Sequence, residues 1–149
     1  MSGYTSGHVA LTLGGASFVG FALAAFFCYR GKVVVVTFWG YACAPCRTEA
    51  PYLSKWQQQY GDAGLVVLAI NAYDEPKEVV TKFAKEKQLE QKFLLTGGSV
   101  AREEYGVRFY PTTCFIDRSG TVVAHQEGFD PSWERHEAVI QELLDEESH

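Results

Sequence analysis

Two unbroken apolar runs organise the chain: Val33-Val34-Val35-Val36, continued by Thr37-Phe38-Trp39, and Leu65-Val66-Val67-Leu68-Ala69-Ile70. Runs rich in β-branched residues, without polar alternation, predict strands covered on both faces, as in the centre of an α/β sheet. Between the runs, Leu53, Trp56 and Tyr60, with Tyr52 alongside, recur at helical spacing and predict an amphipathic helix over 47–60, stopped by Gly61 and Gly64. Pro51 lies inside this segment and, with no N–H to donate, is expected to kink it. A second helix is predicted over 76–89, with Pro76 at its start and Val79, Val80, Phe83 and Leu89 turned inward. Strand and helix in alternation imply parallel pairing.

The pattern then changes. Phe93-Leu94-Leu95 reads as a short strand, Gly97-Gly98 as a turn, and 99–105 as a short helix closed by Gly106. Thr112 to Asp117 and Thr121 to His125 flank Arg118-Ser119-Gly120, the arrangement of a hairpin. A last helix is predicted over 133–144, and 145–149 is a polar tail expected to fray.

The first thirty residues admit two readings. Leu11-Thr12-Leu13 and Ala16-Ser17-Phe18 around Gly14-Gly15 suggest a hairpin, because glycine supplies the positive φ of tight turns. The stretch from Val9 to Tyr29 also carries no charge, as a membrane anchor or signal segment would, although no basic stretch precedes it. The division expected is an N-terminal extension over 1–30, hairpin-like or membrane-associated, and a folded domain over 31–149.

Composition narrows the function. The chain has 149 residues, 47% hydrophobic, enough for one domain with a real core. A net charge of −5 with dispersed basic residues argues against nucleic acid as a partner. Four cysteines with a single Cys-x-x-Cys are too few for a disulfide-stapled miniprotein or a paired zinc ribbon, and His8, His125, His136 and His149 show no ligand spacing. No metal and no cofactor is expected.

Cys43-Ala44-Pro45-Cys46 lies where the first buried strand hands over to a helix. A pair so placed is the arrangement of a dithiol that opens and closes a disulfide, since helix N–H groups and the helix dipole stabilise a thiolate at its start. Cys43 is the expected nucleophile. Cys46, one turn inside the helix and less exposed, is the expected resolving thiol. Pro45 fits the first helical turn and stiffens the loop. Glu49, three residues after Cys46, shares its helix face, where a carboxylate raises the thiol pKa and can accept the proton that Cys46 must lose; a solvated surface Glu is the plainer reading. Cys28 and Cys114 are expected to be buried apolar residues.

The motif Trp39-x-x-x-Cys43-Ala44-Pro45-Cys46-x-x-Glu49-x-Pro51, followed by Tyr105-Gly106-Val107-x-x-Tyr110-Pro111-Thr112-Thr113-x-x-Ile116-Asp117-x-x-Gly120, resembles the thioredoxin superfamily, and within it the TlpA/ResA group of thiol-disulfide oxidoreductases. The resemblance spans residues 31 to 144. It implies an α/β, thioredoxin-like fold: a central mixed sheet flanked by helices, here with an N-terminal hairpin-like extension. It further implies a cis peptide bond before Pro111, which faces Cys43 and offers backbone to an extended substrate strand. Tyr41, Pro45, Phe109 and Tyr110 are then expected to touch substrate, and Trp39 to pack beside the site. Two positions depart from classical thioredoxin: Thr37 stands where that subfamily has a buried aspartate, and Ala42 where many relatives have tryptophan.

The resemblance also implies a monomer that reduces disulfides of a cysteine-containing client protein in an extracytoplasmic space such as the bacterial periplasm, recharged by an upstream thiol reductant that is itself membrane-bound. Against this enzyme stands a non-catalytic thioredoxin-fold module whose disulfide is structural. The cysteine context of a peroxiredoxin, preceded by proline and threonine, is absent.

Overall fold

The computed structural model describes residues 28–95 and 97–146. In chain order the elements are β1 (Val33–Trp39), α1 (Ala44–Tyr60), β2 (Leu65–Asn71), α2 (Lys77–Glu86), β3 (Lys92–Leu94), a single π-helical turn (Val100–Glu104), β4 (Thr112–Ile116), β5 (Val122–Glu127) and α3 (Trp133–Asp145). The strands form one sheet in the order β3-β2-β1-β4-β5. β1 runs parallel to β2, and β2 to β3, while β4 pairs antiparallel with both β1 and β5. This is the mixed sheet expected, with β1 at its centre.

Because side chains alternate across a strand, β1 feeds two cores. Val33 and Val35 pack with Leu53 and Trp56 of α1 and Ile140 and Leu143 of α3. Val34, Val36 and Phe38 point the other way, to Leu68, Ile70, Ala101 and Val107. Further along the first face, Trp39 joins Cys46, Ala50, Val80 and Phe83. Thr37 is the one polar residue in the β1 run, and it is buried between these apolar patches.

Helix α1 begins at Ala44, three residues earlier than periodicity suggests, because Cys43 caps it through its sulfur. It continues through Pro51 as one helix of 17 residues, with the Arg47 carbonyl deprived of its usual N–H partner. α2 ends at Glu86, short of Leu89, since Gln88 adopts φ 52°, outside helical space. The expected helix over 99–105 is the π-helical turn. Cys114 is buried as expected, whereas Cys28, expected inside, is exposed next to Tyr29, which turns its own ring onto the second core instead. The expected hairpin over 11–18 lies outside the described residues. No helix among the described residues is long and apolar enough to cross a membrane.

Candidate functional site

Where β1 ends, Gly40 to Ala42 carry the chain into α1, and Cys43 occupies the N-cap in extended geometry. The Cys46 backbone N–H donates to the Cys43 sulfur at 3.3 Å. The two cysteines are joined as a disulfide with their Cα atoms 5.3 Å apart. Cys43 retains 9% of its exposure and Cys46 only 2%, so Cys43 is the more accessible sulfur of the pair. When the disulfide opens, the Cys46 N–H, the other orphan donors of the first turn and the helix dipole all favour charge on the Cys43 sulfur.

The chain before β4 closes over this sulfur. The Tyr110–Pro111 peptide bond is cis, and the Tyr110 carbonyl oxygen lies 3.7 Å from Cys43 Sγ. Pro111 is buried, its carbonyl accepting from the Gly128 N–H at 2.7 Å. Around the sulfur the surface is aromatic. Phe109 is 61% exposed and Tyr41 41%; Tyr110 is half-buried and Pro45 exposed. Arg47 lies over the Tyr41 ring, 5.3 Å from its centroid, and donates from Nη1 to the Tyr41 carbonyl. Trp39 is buried behind the pair between Phe83 and Phe93, with centroids at 5.6 and 5.4 Å.

Glu49 is buried beneath α1, which removes the solvated-surface reading. Thr37 Oγ1 donates to its Oε2 at 3.1 Å, and Thr113 Oγ1 lies 3.0 Å from its Oε1. Burial pushes the Glu49 carboxyl up to about 7, against the opposing pull of the Thr113 and Thr37 hydroxyls. A carboxyl so tuned exchanges its proton at neutral pH. Burial pushes the Cys114 thiol, one residue along from Thr113, up to about 12, so it carries almost no thiolate there.

Three residues of the site, Asn71, Tyr73 and Glu75, lie outside the motifs, and Thr113 lies inside one that does not disclose its contact with Glu49. The Glu75 carboxylate accepts the N–H groups of Tyr41 at 2.6 Å and Ala42 at 2.9 Å, and the Asn71 side-chain amide at 2.7 Å. It thereby ties the turn after β2 to the loop that presents Cys43. Tyr73 lies flat on Gly40, where an added Cβ would sit 2.4 Å from the ring, and meets Tyr110 edge-on at 5.2 Å. The available signal was topological. Parallel β1 and β2 bring their C-terminal ends to one edge, where α/β folds gather their ligands. Among the described residues no cluster of His, Cys, Asp and Glu has the arrangement of a metal site.

A mixed sheet with Cys-x-x-Cys at a helix N-terminus, facing a cis-proline, defines a thioredoxin-like redox protein. The chain belongs to the Redoxin family, whose model matches residues 20–143. It is 39% identical over 94 residues to the thiol-disulfide oxidoreductase ResA of Geobacillus thermodenitrificans, a match covering 63% of this chain and 53% of that protein. A ResA of Bacillus thuringiensis is 33% identical over 100 residues, covering 67% of this chain and 57% of the relative. The chain thus spans just over half the length of these curated relatives. Among solved structures, a putative thiol:disulfide interchange protein DsbE from Chlorobium tepidum superposes with a TM-score of 0.73 at 31% identity, covering 80% of this chain and 84% of that one. These likenesses make it a TlpA/ResA-like member of the thioredoxin superfamily.

Proposed function

We propose that this protein is a thiol-disulfide oxidoreductase that reduces disulfides of client proteins. The observation that carries the reading is the asymmetry of the pair. Cys43 is the accessible sulfur and receives the Cys46 N–H, while Cys46 is enclosed one turn behind it. In this scheme the Cys43 thiolate attacks a client disulfide and displaces one client sulfur as thiolate. Cys46 gives its proton to Glu49 and attacks the mixed disulfide, releasing the second client thiolate and leaving the Cys43–Cys46 disulfide. Two electrons have moved to the client. The cis-proline loop, with Phe109 and Tyr110, and the Tyr41 and Pro45 rim form the surface against which the client strand lies.

A reductant role is supported by Glu49, whose carboxylate opposes thiolate formation, and by the kinship with ResA proteins. The same kinship supports an extracytoplasmic place of action and recharging by an upstream thiol donor. The test is a Cys46→Ala variant, which should accumulate a mixed disulfide with client protein through Cys43, identified by mass spectrometry. Trapping through Cys46 in the converse Cys43→Ala variant, with none through Cys43, reverses the roles. A reduction potential well below about −300 mV, with no reduction of an insulin-like disulfide, turns the pair into a structural bond.

A further inference from the structure

Thr37 and Thr113 are directly opposite one another in the antiparallel pairing of β1 with β4, so their side chains share one face of the sheet. Both are buried, and α1 lowers Glu49 onto them. The three groups form a closed triangle. Thr37 Oγ1 is 3.1 Å from Glu49 Oε2, Thr113 Oγ1 is 3.0 Å from Glu49 Oε1, and the two hydroxyl oxygens are 3.1 Å apart. Each threonine owns a single hydroxyl hydrogen, so two threonines cannot fill three O–H···O edges. All three edges are filled only when the carboxyl supplies the third hydrogen. With Glu49 neutral, Glu49 donates to Thr113, Thr113 to Thr37, and Thr37 back to Glu49. With Glu49 ionised, both hydroxyls turn to donate to the carboxylate. No heavy atom has to move between the two states.

We propose that Thr37 and Thr113 are positioning residues that close a hydroxyl–carboxyl ring around Glu49, satisfied in both protonation states, so that Glu49 gives and takes the Cys46 proton in place. This rests on the reading of Glu49 as the proton partner of Cys46. During recharging, a thiolate of the partner reductant attacks the Cys43 sulfur, the Cys43–Cys46 bond breaks, and Cys46 leaves as a thiolate that takes the Glu49 proton. Thr37 and Thr113 then both donate to the new carboxylate. The strand position that holds the acid in classical thioredoxin here holds a donor to an acid on the helix. On α1 the titratable side chains one turn from Glu49 are Cys46 before it and Tyr52 after it; β1 and β4 face it with hydroxyls, and among the described residues no charged side chain is paired with it.

The test is an infrared titration of the oxidised protein, following the protonated-carboxyl C=O band that Glu49→Gln abolishes. The band should be present at about pH 6 and vanish as pH rises through about 7. In Thr37→Val, in Thr113→Val and further in the double variant, its midpoint should move alkaline, by about one pH unit per hydroxyl, because the ionised form loses its charge-assisted donors. Thr113→Ser should restore the wild-type midpoint. A merely structural role would lower stability with the midpoint unmoved; an unmoved or acid-shifted midpoint, or no Glu49 band at all, overturns the ring. If the double variant does not fold, the single Val and Ser variants decide the matter. The band needs no turnover, so a wild-type protein with the ring intact and no exchange with a dithiol sinks only the functional reading.

Discussion

The two halves of α1 rest on the same strand and do opposite things. Toward its C-terminus, Leu53 and Trp56 lie over Val33 and Val35, an apolar seam shared with Ile140 and Leu143 of α3. Toward its N-terminus, Cys46 and Glu49 lie over Thr37 and Trp39, and the seam admits three polar groups and a disulfide. Burial in the first half removes apolar surface from water and stabilises. Burial in the second strips a carboxyl of solvent, which costs stability when it ionises and confers reactivity. One helix therefore separates the part of the molecule that holds the fold from the part that does chemistry.

The largest way to break this contrast is in the apolar half. Leu53→Ala or Trp56→Ala should destabilise by about 3–5 kcal/mol, read as a lower urea midpoint at unchanged slope. Reduction of the disulfide by a small dithiol should stay near wild type under native conditions. A comparable loss of exchange rate would mean that the halves are not separable.

The next effect belongs to Glu49. Its folded pKa of about 7 lies above its ordinary 4.5, so between these values the native state holds a proton that the unfolded chain has released. The stabilisation is therefore full below about 4.5 and is lost as pH rises through about 7, about 3 kcal/mol in all. Denaturation midpoints across that range should show the decline, and Glu49→Gln should flatten it. A midpoint that instead rises with pH in the wild type, for this residue's share, contradicts the assignment.

Glu75 sharpens the comparison at smaller scale, because it orders the loop rather than the core. Removing its carboxylate in Glu75→Ala frees the Tyr41 and Ala42 N–H groups, at a cost of about 1–2 kcal/mol in presenting the Cys43 sulfur. The expected result is roughly tenfold slower alkylation of Cys43 in the reduced protein with little change in the urea midpoint. An equal loss in global stability would make Glu75 a structural residue only.

Much of this was legible in the sequence because it is written locally. The valine run announced β1, the glycines and Pro76 bounded the helices, and the cysteine spacing placed a dithiol at a helix start. The parts that escaped depend on pairings between distant segments. Nothing near Thr113 announces that its hydroxyl meets Glu49; that follows only from the antiparallel register of β4 against β1. Glu75 looks like a loop charge until parallel β1 and β2 bring its turn beside the Cys43 loop. Cys28 misled for the opposite reason, since thiols are usually interior and no sequence pattern marks this one as facing solvent.

The alternation of β4 has a consequence for insulation. Thr113 faces the disulfide side of the sheet, and Cys114, its neighbour in the chain, faces the Val36 side. The sheet is thus a partition one residue thick between a live thiol pair and a silent thiol. A single residue deleted at the start of β4 would turn the strand over and set Cys114 opposite Thr37 in the place of Thr113, delivering a third sulfur to the reactive chamber and taking away the hydroxyl. Under the proposed redox role, fidelity of electron traffic would be a matter of counting residues along one strand.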